Sequence, residues 1–254
     1  MLFTAHHISV TLEGDKGSFA AVDDVSLELN TGEIIDVIGP SGAGKSTLLH
    51  AFGMQVVSWG GNMFLKDRSS NEFTAQQWRR RVALVQQKPI LVTGSVEDNL
   101  LLPWTLKSFE DEPAPDRGIL TEALGAARLS DIALERSIDK LSVGQQARVA
   151  FLRTLLTVPD VLLLDEVDAA LDDASAVAIG EMTSAYAQEA HGVIRVRHRT
   201  DDGRASQRIR MQSGRIVDRI DDMQSAGVVG MDDAESDDLQ SVESRDTRSA
   251  EVVR

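Results

Sequence analysis

The chain has no cysteine, which excludes both a disulfide framework and a thiolate metal site. No apolar run approaches the ~18 residues that a membrane-crossing helix needs. The opening residues Met1-Leu2-Phe3-Thr4-Ala5-His6-His7 carry neither the charged segment nor the apolar core of a secretion signal. The expectation is a cytosolic protein that another polypeptide must hold if it works at a membrane. Positive charge is also scarce: 26 Lys and Arg against 40 Asp and Glu leave a formal net charge of -14, which argues against a nucleic-acid partner. The deficit is uneven. Between residues 221 and 254 stand ten acids and three arginines, half of the net charge, in a stretch with few large apolar residues. Residues 223–254 are therefore expected to form a disordered, solvating acidic tail.

What remains is 254 residues with an ordinary 42% hydrophobic content, enough for one large α/β domain with a real core. Alternating apolar positions at Ile8, Val10 and Leu12, then at Val22, Val25, Leu27 and Leu29, with turns at 13–17 and 30–33, predict a small antiparallel sheet. The run Ile34-Ile35-Asp36-Val37-Ile38 predicts a buried strand, and Thr47 to Phe52 reads as the first turns of a helix. Between them lies Gly39-Pro40-Ser41-Gly42-Ala43-Gly44-Lys45-Ser46-Thr47. This is G-x-x-x-x-G-K-[ST] in the strand–loop–helix context the motif requires, the P-loop. Its glycines let backbone N–H groups turn toward phosphate oxygens, and the helix N-terminus adds unpaired N–H groups and partial positive charge. Lys45 is placed for the β- and γ-phosphates, and the Ser46 hydroxyl for Mg²⁺.

Further on, 74–80 read as a helix, 81–85 as a strand, and residues from Ser95 to about 158 as a helical insertion opened by Ser95 as N-cap. Val161-Leu162-Leu163-Leu164 is continuous enough for a strand buried on both faces. It ends in Asp165-Glu166, two carboxylates at the strand end where α/β folds hold ligands. Asp165 suits the Mg²⁺ shell, and Glu166, one residue on, suits a general base for the attacking water. Val193 to Arg197 and a hairpin over 208–217 close the domain.

Taken together these motifs resemble the ATP-binding subunit of an ABC transporter over nearly all of residues 2–220. Leu141-Ser142-Val143-Gly144-Gln145 is similar to the L-S-G-G-Q signature, with Val143 in place of a glycine. Gln87 matches the Q-loop glutamine, with Gln86 as the alternative. Ala169-Ala170-Leu171-Asp172 resembles the D-loop without its serine, and His198 follows its strand where the switch histidine sits. The resemblance implies an ABC-type P-loop cassette at 2–222: a mostly parallel core sheet with helices, an N-terminal antiparallel subdomain and a helical subdomain at about 95–158. It implies Mg²⁺ and ATP as ligands, Gln87 as a further Mg²⁺ contact and His198 as a sensor of the γ-phosphate. It also implies a second cassette whose Ser142, Gly144 and Gln145 cap the nucleotide across a two-fold axis, and a separate membrane permease that holds the pair at the inner face of the cell membrane. Segments Ser95 to Leu100 and Leu101 to Trp104 resemble the ATPases of iron or metal-resistance exporters. Two departures are expected to matter. Val143 should restrict the backbone at the signature, and no aromatic occupies Val10 to Leu12 to stack adenine, the nearest being Phe19 in an expected loop. A soluble repair or translation ATPase of the same family, and a cassette that binds ATP but turns it over slowly, are the alternatives.

Overall fold

The computed structural model describes residues 1–14, 17–88, 90–197 and 201–221; His198 and the acidic tail lie outside the described residues. In chain order the elements are β1 (Phe3–Gly14), β2 (Gly17–Leu29), β3 (Ile34–Ile38), α1 (Lys45–Phe52), β4 (Gly60–Leu65), β5 (Arg68–Ser69), α2 (Ala75–Arg81) and β6 (Val82–Val85). They are followed by α3 (Val96–Leu101), α4 (Arg117–Ala126), α5 (Val143–Leu155), β7 (Val161–Asp165), α6 (Asp173–Gln188), β8 (Gly192–Val196), β9 (Gln207–Gln212) and β10 (Arg215–Asp221).

Among the described residues the strands form two sheets. An antiparallel sheet runs β2-β1-β4-β5, and a larger one runs β10-β9-β3-β8-β7-β6. In the larger sheet β9, β3, β8, β7 and β6 are parallel, and only the β9–β10 hairpin is antiparallel. Parallel strands need helices on both faces, and the two apolar clusters supply them. One joins the antiparallel sheet, α1 and the Trp78 ring of α2 to Ile35, Val37, Val161, Leu163, Ile194 and Val196. The other joins α3 to α6 to Ile34, Leu162, Leu164 and Val193. Residues of β7 alternate between the clusters, so its unbroken apolar run is what a strand covered on both sides requires.

The helices begin where local chemistry predicts. Ser95 caps α3 in a reciprocal capping box with Asp98, and Thr74 caps α2 with Gln77, each pair satisfying two backbone N–H groups otherwise left without partners. The helix after the P-loop is short. α1 stops at Phe52 after eight residues, and its last turn is held from outside the helix: the Trp78 indole donates to the Phe52 carbonyl at 2.7 Å. The outcome is that β3, β7 and β8 aim their carboxyl ends at one edge of the sheet, where α1 also begins.

Candidate active site

β3 leaves the core at Ile38 and the chain turns through the P-loop into α1. The loop lies tightly on its neighbours. Gly44 has φ +96, and a Cβ there would sit 2.1 Å from the Ala21 carbonyl oxygen of β2, so only glycine fits on both conformational and steric grounds. Gly44 is the N-cap of α1 and provides no side-chain cap. The first N–H groups of α1 thus stay available to an external anion, with the positive end of the helix dipole behind them. Lys45 is 5% exposed, and its Nζ donates to the Gly39 and Pro40 carbonyls at 2.9 and 3.0 Å. The ammonium is therefore held in the loop itself, beside the phosphate position the motif predicts.

Asp165 ends β7 against the start of α1. Its Oδ1 accepts a hydrogen bond from Ser46 Oγ at 2.9 Å, and His50 Nε2 on the next turn lies 3.9 Å from Oδ2. Burial pushes the Asp165 carboxyl above its usual range, opposed by the Ser46 bond and by His50. Glu166 follows with φ +51, a left-handed conformation that costs a non-glycine residue energy and is kept where the surroundings fix it. Here its N–H donates to the Val196 carbonyl at 3.1 Å, tying it to β8. Gln87 Nε2 reaches Glu166 Oε2 at 3.5 Å, so of the two neighbouring glutamines Gln87 is the one at the carboxylate. The Ser46 hydroxyl and the Asp165 carboxylate, in direct contact, are hard oxygen donors of the kind that suit Mg²⁺.

The P-loop forms one wall of a cleft of about 520 Å³ whose other lining includes Leu12, Phe19, Ala21, Glu166 and Gly214. Leu12 and Phe19 face each other across β1 and β2 as register partners, 37% and 53% exposed. The expectation that Phe19 sits in a loop is corrected: it belongs to β2, and pairing brings its ring beside Leu12 at the cleft. A strand partner seven residues away supplies the ring that Val10 to Leu12 lack.

None of residues 141–145 lines this cleft. Ser142 is instead the exposed N-cap of α5, in a capping box in which Gln145 N donates to Ser142 Oγ at 3.3 Å and Ser142 N to Gln145 Oε1 at 2.9 Å. The expected backbone restriction at Val143 does not arise. Val143 is the first residue of α5, where any L-residue fits, and its side chain points outward at 63% exposure. Gly144 answers to a different constraint, since a Cβ there would meet Ser175 Oγ at 2.3 Å and Asp172 Oδ2 at 2.9 Å. Asp172, from the D-loop-like segment, is the N-cap of α6, so the starts of α5 and α6 are locked together.

Sequence reading missed a buried set of ion pairs behind the carboxylates. Arg195 of β8 is the register partner of Asp36 in β3 and binds it through two nitrogens at 2.6 and 2.9 Å. Arg197 contacts Asp168, two residues after Glu166, at 3.0 Å. A carboxylate inside the run Ile34 to Ile38 and an arginine inside Val193 to Val196 were the available signals.

A P-loop leading into α1, beside a parallel strand that ends in paired carboxylates, defines a P-loop nucleoside triphosphatase. The family model described as "ABC transporter" matches residues 22–169. The chain is 31% identical over 187 residues to the probable iron export ATP-binding protein FetA of Escherichia coli K12, covering 73% of this chain and 81% of that protein. It is 32% identical over 182 residues to the lipoprotein-releasing system ATP-binding protein LolD of Ehrlichia ruminantium, covering 69% and 78%. The protein belongs to the ABC transporter family, as an ATP-binding and ATP-hydrolysing subunit. Its fold superposes on a dimeric ATP-binding cassette in a post-hydrolysis state bound to ADP and Pi, with a TM-score of 0.75 at 22% identity over 87% of this chain and 98% of that one.

Proposed function

We propose that this chain is one of two cassettes that close on Mg-ATP and drive a separate membrane permease, and that the transported solute is iron or a related metal. The observation that carries the catalytic part is the contact of Ser46 with Asp165, with Glu166 next in the chain and the Gln87 amide beside it. In this reading Lys45 and the amides of Gly39 to Thr47 hold the phosphates. Ser46, Gln87 and Asp165 hold Mg²⁺, whose charge offsets that of the β- and γ-phosphate oxygens when it is bound. Glu166 takes a proton from the attacking water, and His198 contacts the γ-phosphate. Leu12 and Phe19 flank the base. Ser142, Gly144 and Gln145 act in trans, since they are exposed or helix-opening residues that do not line the cleft of their own chain.

Among the described residues no helix is long and apolar enough to cross a membrane. In this reading the separate permease holds the cassette at the inner face of the cell membrane. The metal cargo rests on the likeness to the iron-export relative. The test is ATPase activity of Glu166→Gln. Turnover should fall about a hundredfold or more while ATP binding is retained, and parental turnover would remove Glu166 from the mechanism.

A further inference from the structure

Five charged side chains form a continuous ladder behind the site. Asp36 on β3 binds Arg195 on β8. Arg195 binds Asp202 through two nitrogens, each at 3.1 Å. Arg197 then contacts Asp202 at 2.9 Å and Asp168 at 3.0 Å. None of the five side chains is more than 16% exposed. Asp36 and Arg195 are buried, at 3% and 4% exposure, and burial pushes the Asp36 carboxyl above its ordinary range, opposed by the Arg195 bond.

A buried ion-pair chain is a poor way to gain stability, because desolvation cancels most of the attraction and well-packed apolar residues often do as well. What it does supply is fixed geometry, since a guanidinium fork accepts only a narrow range of carboxylate positions. The elements it joins are informative. β3 delivers the P-loop. Asp168 lies in the turn that starts at Glu166, where the Ala169 N–H bonds back to the Glu166 carbonyl and the Leu171 N–H to that of Asp168. Arg197 and Asp202 stand on either side of residues 198–200 in the chain and pair with each other. One cation thus connects the turn carrying the general base to Asp202.

We propose that Arg197 is a positioning residue for hydrolysis, holding Glu166, through Asp168, at the angle needed to activate water. The proposal rests on the reading of Glu166 as the base. Displacing a catalytic group by about 1 Å can cost on the order of a hundredfold in rate without touching substrate binding. The expected signature is therefore a loss confined to kcat.

The experiment compares Arg197→Met, Arg197→Lys and Asp168→Asn in the full chain. It follows steady-state ATPase, ATP affinity and thermal midpoint. Arg197→Met should lower kcat at least tenfold, with KM and ATP affinity within about twofold of the parent. Arg197→Lys should recover part of that loss, since an ammonium keeps the charge but not the fork. A folded Arg197→Met with parental kcat overturns the proposal, as does an equal loss in both Arg197 variants that follows a fall in thermal midpoint. If Arg197→Met does not fold, Asp168→Asn carries the test, because Asp202 still neutralises Arg197. A lower kcat at unchanged KM then supports the proposal, and a parental kcat ends it. Glu166→Gln measured alongside separates the two readings. An inactive Glu166→Gln with a parental Arg197→Met removes only the ladder's role, whereas an active Glu166→Gln removes the base itself.

Discussion

Phe19, half-exposed, lines the cleft together with its register partner Leu12 and the P-loop. Stacking a base on an aromatic face contributes about 1–3 kcal/mol, whereas an aliphatic neighbour offers only contact area. Phe19→Ala should accordingly raise the KM for ATP about tenfold with little change in kcat, while Leu12→Ala should raise it less. Equal effects of the two substitutions, or none, would show that the base lies elsewhere; a titration of ATP-dependent turnover decides. The contrast with Lys45, Ser46 and Asp165 explains which residues a sequence exposes. Those three sit within rigid motifs whose spacing encodes their geometry. Phe19 reaches the cleft because hairpin register places it across from Leu12, and register is a property of two strands. The Asp36–Arg195 pair is further removed still, linking residues 159 positions apart through a strand order that no local pattern contains.

At the level of elements, the start of α5 serves two tasks that substitution can separate. Ser142 closes a capping box with Gln145, and loss of such a cap costs about 1 kcal/mol. Ser142→Ala should lower the thermal midpoint by about 2–4 °C, measured by circular dichroism, while Ser142→Asp, an equally good N-cap, should leave it near the parental value. An unchanged midpoint in Ser142→Ala would mean the box contributes nothing to folding. Elements themselves were well marked in the sequence, because caps, apolar alternation and the two-faced run of β7 are local. Two details were not. The Phe52 carbonyl that ends α1 is met by Trp78, 26 residues further along the chain. The need for Gly144 comes from Ser175 and Asp172 at the start of another helix, so its place in a phosphate-capping motif conceals a packing role.

At the scale of the whole molecule, two helix N-termini stand apart on one chain. The N-terminus of α1 opens into the cleft, and that of α5 is exposed with Ser142 and Val143 outward, outside the cleft lining. In the proposed reading a second copy related by a two-fold axis offers its α5 to the nucleotide in this cleft, with the reciprocal contact closing the pair. Both contacts depend on an intact triphosphate, so blocking hydrolysis should preserve the closed state. Glu166→Gln with Mg-ATP should run as a dimer by light scattering and as a monomer with Mg-ADP. Adding Ser142→Asp to that background keeps the helix cap but sets a carboxylate against the γ-phosphate, where like charges repel. That double variant should remain folded and monomeric with Mg-ATP, whereas adding Ser142→Ala should weaken the dimer less. A Ser142→Asp variant that dimerises as tightly as Glu166→Gln alone would mean that α5 does not meet the partner's nucleotide.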